Sequence, residues 1–141
     1  MAKQPSLTLT RRIKASPEEV FAAWTDPKKL GAWMGPANFT ATAEIEARVG
    51  GAYHIVLRTP EGQDNHVSGT FRELVPGKKI VFSWAWHSTP ERESLVTITL
   101  KPERGGTLMT FNHEQLFDEK ARDEHLRGWT GSFDKLEKLY S

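Results

Sequence analysis

The sequence predicts an α+β domain: a curved antiparallel sheet of about seven strands wrapped around a long C-terminal helix, with two short helices after strand one. Three observations predict it. A helix-capping signature follows the first alternating segment. Six more alternating segments then fill positions 38–114 with only short turns between them, and an apolar stripe at helical spacing occupies 118–140.

Leu7, Leu9 and Ile13 alternate with Thr8 and Thr10, which gives a strand near 6–14. Ser16-Pro17-Glu18-Glu19 is a capping box with proline at the first helical position, where its missing N–H is harmless. Val20, Phe21 and Trp24 make the apolar side of that helix. Asp26-Pro27 starts a second short helix carrying Leu30, Trp33 and Met34, and Gly35-Pro36 stops it.

Beyond 38 the period changes to two. Phe39, Ala41, Ala43 and Ile45 alternate with polar neighbours, and Gly50-Gly51 turns the chain into Tyr53, Ile55 and Leu57. Pro60-Glu61-Gly62 leads to Val67, Gly69 and Phe71. Pro76-Gly77 leads to Ile80, Phe82, Trp84 and Trp86. Val96, Ile98 and Leu100 follow Pro90, and Gly105-Gly106 leads to Met109, Phe111 and His113. No connection is long enough for a parallel crossover, so these six strands are expected to be consecutive antiparallel neighbours. The tail places Leu126, Trp129, Phe133, Leu136 and Tyr140 on one helical stripe. Gly128 and Gly131 interrupt it, either for close helix-on-sheet contact or to leave room for something bound.

A chain of 141 residues suits a single domain, 1–141. Charge is balanced locally: residues 1–70 carry 8 basic and 7 acidic groups, and 71–141 carry 11 of each. Nonspecific phosphate binding has no electrostatic driver here, so no nucleic-acid partner is expected. With no cysteine there are no disulfides, thiolate metal sites or cysteine nucleophiles. No apolar run approaches the ~18 residues of a membrane helix, and Met1-Ala-Lys-Gln-Pro5 lacks a signal core, so a cytoplasmic chain without membrane association is expected.

An amphipathic helix must cover the sheet's apolar face, and a strongly curved sheet can leave a hollow beneath that helix. Parity puts Tyr53, Phe71, Phe82, Trp84, Trp86, Met109, Phe111 and His113 on the covered face, opposite Trp129 and Phe133. Together with Trp33 they are the candidate cavity lining, each ring being either solid core or pocket wall.

Several segments resemble the START-like helix-grip superfamily, also called SRPBCC: Ala23-Trp24-Thr25-Asp26-Pro27 and Trp33-Met34-Gly35-Pro36. Gly50-Gly51-Ala52-Tyr53, Val67-Ser68-Gly69, Glu93-Ser94-Leu95-Val96-Thr97 and Gly128-Trp129-Thr130-Gly131-Ser132 resemble one branch of it. That branch is the family similar to the C-terminal domain of Aha-type activators of the heat-shock chaperone ATPase. The resemblance covers roughly 6–140. It implies a helix-grip fold with a hydrophobic cavity between sheet and long helix, and relatives that range from lipid carriers and hormone receptors to aromatase/cyclase domains. Activators of this kind carry a further N-terminal domain that grips the chaperone, and the sequence is expected to lack it.

The expected function is binding of a small apolar or amphipathic molecule in that cavity, with His113 orienting a polar group. The alternatives are an interaction module whose partner is a heat-shock chaperone, and a cyclase- or hydrolase-type enzyme with His113 as base. The enzyme ranks last because the sequence places no second acid or base, and no catalytic residue is assigned. His113-Glu114-Gln115-Leu116-Phe117 misses the zinc motif by its last residue, and no Gly-rich phosphate loop opens a helix, so no metal or cofactor is expected. His54, His66 and His87 read as solvated surface, and His125 lies beside the helical stripe. Arg11 has inward parity, which implies an ion partner, an outward bulge or an anchor for a ligand carboxylate. Monomer and homodimer both remain open.

Overall fold

Two side-chain caps turn the chain away from its first strand. Strand β1 (Leu7–Ile13) leads to Ser16, whose hydroxyl accepts from the Glu19 amide at 3.2 Å while the Glu19 carboxylate accepts from the Ser16 amide. Helix α1 (Pro17–Thr25) follows. The Asp26 carboxylate then accepts from the amides of Lys28 and Lys29, at 2.9 and 3.3 Å, and opens α2 (Pro27–Gly31). The computed structural model describes residues 4–141; residues 1–3 of the expected domain lie outside the described residues.

The remaining strands are β2 (Thr40–Ile45), β3 (Ala52–Arg58), β4 (Asp64–Val75), β5 (Lys79–Trp86), β6 (Ser94–Glu103) and β7 (Gly106–Glu114). They form one antiparallel sheet in the order β1-β7-β6-β5-β4-β3-β2. Consecutive strands pair as the short turns require. β1 closes the far edge by pairing with β7, with Leu7 opposite His113 and Ile13 opposite Thr107.

The pairing of β4 with β5 is irregular. The register slips by one residue between Phe71 and Glu73, a β-bulge. At Gly69 a Cβ would lie 1.9 Å from the Ser83 carbonyl oxygen, so only glycine permits this approach. The polar groups freed by the distortion find other partners. The Tyr53 hydroxyl donates to the Ser83 carbonyl at 2.6 Å, and the Thr70 amide donates to the Ser83 hydroxyl at 2.9 Å.

The cupped sheet holds helix α3 (Glu119–Leu139), capped by Asp118 accepting from the Ala121 amide at 2.8 Å. This is the helix-grip architecture. α3 buries Trp129, Ser132, Phe133 and Leu136. Leu126 does not belong to that stripe as the spacing had suggested: it is 36% exposed. The buried line runs back from Leu136 through Ser132 and Trp129 to His125, in steps of four, three and four, which turns Leu126 outward.

Part of the anticipated hollow is solid. Trp24, delivered by α1, stacks on Phe111 with centroids 6.1 Å apart and planes within 13°, and meets Trp33 edge-on at 4.8 Å. Phe82, Trp129 and Phe133 complete its surroundings at 5.9–6.1 Å. Trp33, Met109, Phe111 and Phe133 are fully buried in this cluster. Arg11 is neither bulged out nor open to a ligand. Its guanidinium pairs with Asp134 at 2.8 Å and Glu137 at 2.5 Å, tying β1 to the last turns of α3.

Candidate functional site

Two side chains of α3, Ser132 and Lys135, hold the segment that follows α2. The Gly35 amide donates to the Ser132 hydroxyl at 2.9 Å, which itself donates to the Gly128 carbonyl at 3.0 Å. One turn on, the Lys135 ammonium donates to the carbonyls of Pro36 and Phe39, both at 3.2 Å. Gly131 lets the two segments touch, since a Cβ there would sit 3.1 Å from Pro36 Cα. The segment between α2 and β2 thus becomes one wall.

Between that wall, the first half of α3, the end of β5 and the β5–β6 loop lies a cleft of about 380 Å³. This is near the lower end of small-ligand sites, ~300–1,000 Å³. Its floor is apolar: Met34, Leu57, Trp84, Trp86, Leu116 and Trp129. Its mouth is polar, with Ser88, Thr89, Arg92, Glu124 and His125. The Arg92 guanidinium lies 3.7 Å over the Phe117 ring at that mouth. Gly128 borders the cleft, and a Cβ placed on it would meet no atom within 4 Å. The two helical glycines therefore differ: Gly128 faces open space, and Gly131 makes a close contact with the loop at Pro36 rather than with the sheet.

Two imidazoles accept from the indoles of Trp129 and Trp86, and their partners determine their protons. The Trp129 indole N–H donates to Nδ1 of His113 at 3.1 Å, so that nitrogen is an acceptor and Nε2 carries the hydrogen. Nε2 donates to the Ser94 hydroxyl at 2.7 Å, which donates to the Trp84 carbonyl at 3.2 Å. His125 has the opposite tautomer: Nδ1 donates to the Ala121 carbonyl at 2.7 Å, and Nε2 accepts from the Trp86 indole at 3.0 Å. Burial, reinforced by the charge of His125, holds His113 well below the usual imidazole range. His125 is also lowered, mainly by burial, with its bond to Ala121 and the nearby Glu124 pulling the other way.

One buried group has no such partner. The indole N–H of Trp84 is the only buried side-chain nitrogen or oxygen among the described residues without a hydrogen bond, and Trp84 lines the cleft. A buried donor left unpaired costs ~1–3 kcal/mol.

The eleven residues expected to line a cavity separate into groups. Trp84, Trp86 and Trp129 line the cleft. Tyr53, Phe71 and Phe82 border a second gap of only about 10 Å³, near Trp24 and Ile55. Trp33, Met109, Phe111 and Phe133 fill the aromatic core, and His113 supports Trp129 from behind. Parity identifies the covered face but not the depth along it, and Trp24 occupies the deep end. The loop residues Gly35, Arg92 and Leu116 carry no periodic signal and were missed.

On the opposite, outer face the three histidines read as separate surface residues meet. His54 Nε2 and His66 Nδ1 are 2.9 Å apart, and His87 stacks against both rings. Sequence spacing could not show this, because it depends on the register of three strands.

The model of the family described as Activator of Hsp90 ATPase homolog 1-like protein matches residues 14–141. The chain belongs to this family. The human protein named Activator of 90 kDa heat shock protein ATPase homolog 1 is 34% identical over 102 residues, which cover 72% of this chain and 27% of the human protein. The chain thus spans about a quarter of the length of the curated relatives it matches. Among solved structures, a Chromobacterium violaceum protein superposes with a TM-score of 0.89 at 31% identity, covering 96% of both chains. An AHSA1 protein from Silicibacter pomeroyi gives 0.85 at 30% identity, again covering 96% of both. Among the described residues of this family member, no helix is long and apolar enough to cross a membrane.

Proposed function

We propose that the chain binds a small amphipathic molecule in the cleft between α3 and the β5–β6 loop, apolar body on the tryptophans and polar head at the mouth. The observation that carries this reading is the conjunction at one place of an apolar floor built on three tryptophans, a polar mouth and a helical glycine facing open space. Arg92 at the mouth suits a carboxylate or other anionic head. Burying ~300 Å² of apolar ligand at ~25 cal/mol per Å² gives several kcal/mol before ordering costs, consistent with micromolar affinity. His113 is a support rather than a base, since both its ring nitrogens are engaged inside the protein.

Tryptophan fluorescence titrated with medium-chain fatty acids and aromatic carboxylates tests this. Saturable quenching in the wild type, lost in Gly128→Leu, is the expected result. No saturable response across the panel, or one that Gly128→Leu leaves intact, refutes it.

A second reading rests on the family match. The human relative is named for activating the ATPase of a 90 kDa heat shock protein, and the matched segment here would contact such a chaperone through its surface. It predicts that adding the chain raises the ATPase rate of its host's chaperone. An unchanged rate at saturating protein removes it.

A further inference from the structure

We propose that His54, His66 and His87 form a binding site for one divalent transition-metal ion of the zinc and copper class, on the face of the sheet opposite α3. The three residues come from neighbouring elements: His54 from β3, His66 from β4, and His87 immediately after β5. Pairing puts His54 opposite Ser68, two residues along β4 from His66. The His87 amide donates to the His66 carbonyl at 2.9 Å, so those two residues also face each other.

The ring centroids are 5.1, 5.1 and 5.5 Å apart, a triangle rather than a row, with all planes within 23° of one another. One ligand nitrogen from each ring lies within 4.8 Å of the other two. Tetrahedral coordination with metal–nitrogen bonds of ~2.0–2.1 Å needs nitrogens ~3.4 Å apart. Small side-chain rotations on a fixed strand framework therefore assemble the site, and little order has to be created.

The ligand set identifies the class of ion. Three imidazoles suit zinc, copper and nickel, whereas calcium and magnesium require oxygen ligands. The His54–His66 contact holds a hydrogen between two nitrogens that a cation would replace. Ser68, whose hydroxyl lies 3.0 Å from His87 Nε2, is placed to hold a metal-bound water or to orient the ring. His87 is exposed, leaving the fourth position to solvent. Such an ion would tie the root of the β5–β6 loop, which carries Ser88, Thr89 and Arg92 of the cleft mouth, to β3 and β4.

The experiment uses untagged, chelator-stripped protein titrated with zinc chloride in a calorimeter, and with copper(II) followed by electron paramagnetic resonance. The expected result is one ion per chain at micromolar affinity or better, nitrogen hyperfine structure in the copper spectrum, and a thermal midpoint raised by zinc. His66→Ala and His87→Ala should each weaken zinc more than ~100-fold, beyond the loss of an outer-shell partner, and abolish the zinc-induced midpoint shift. Both positions are on the outer surface, so the midpoints without metal should match the wild type and show that the variants fold. His125→Ala, which alters only the cleft imidazole, should bind zinc normally. Absence of saturable binding up to ~100 μM zinc, or binding that survives His66→Ala, overturns the site.

Discussion

Trp129 and His113 are locked together by one directional hydrogen bond: the indole donates, Nδ1 accepts, and the imidazole's remaining hydrogen is passed to Ser94. A second cleft tryptophan, Trp84, has no comparable partner for its N–H. Two indoles whose centroids are 4.9 Å apart thus sit in opposite energetic situations.

The contrast is measurable by chemical denaturation. Trp129→Phe removes a donor and strands a buried acceptor on His113, a penalty of ~1–3 kcal/mol before any packing loss. Trp84→Phe also loses ring volume, but it deletes an unsatisfied donor, so the two effects offset and the change should stay within ~1 kcal/mol. Trp129→Phe should be the less stable by at least ~1 kcal/mol. Equal stabilities would mean that the hydrogen bond contributes nothing.

Acid should expose the same network. The folded His113 has a depressed proton affinity, so below about pH 6.5 the unfolded chain binds a proton that the native one refuses. Stability due to this neutral imidazole is fully present above the unfolded value and declines as pH falls through it. The slope approaches ~1.4 kcal/mol per pH unit for one proton. His125, lowered as well, adds in the same direction. Denaturation midpoints between pH 7.5 and 5 should therefore fall with acidity, and His113→Gln should flatten the profile while lowering stability at neutral pH. A variant as acid-sensitive as the wild type would assign the effect elsewhere.

Much of the architecture was legible because two periodicities dominate the chain. The alternation around Tyr53, Ile55 and Leu57, or Val96, Ile98 and Leu100, admits only a half-buried strand, and the short turns leave only neighbouring antiparallel pairs. Ser16 and Asp26 marked both helix starts correctly. What stayed hidden was whatever depends on the third dimension. Trp24 reads as one apolar residue on a short helix, and nothing local says that it reaches Phe111 and fills the deep end of the hollow. Arg11 reads as a stranded inward charge because its partners, Asp134 and Glu137, lie more than a hundred positions away. The outer histidines are separated by eleven and twenty residues, and only the register of β3, β4 and β5 brings them together.

Gly128 and Gly131 show the same limit and offer a direct test of it. They lie three residues apart on one helix, and propensity alone assigns each the same penalty, ~1 kcal/mol relative to alanine. Their surroundings separate them. A methyl at 128 meets nothing within 4 Å, so Gly128→Ala should gain nearly the whole amount and raise the thermal midpoint. A methyl at 131 would stand 3.1 Å from Pro36 Cα and 3.5 Å from the Ala37 amide nitrogen, both backbone. Accommodating it means pushing away the loop that Ser132 and Lys135 hold, which loosens three hydrogen bonds. Gly131→Ala should therefore show no net gain, and Gly131→Val a loss of ~1–3 kcal/mol from overpacking. A matched pair of alanine variants measured by urea denaturation decides the point: stabilisation at both positions would mean that the loop yields freely, and the cleft wall it forms would not be fixed.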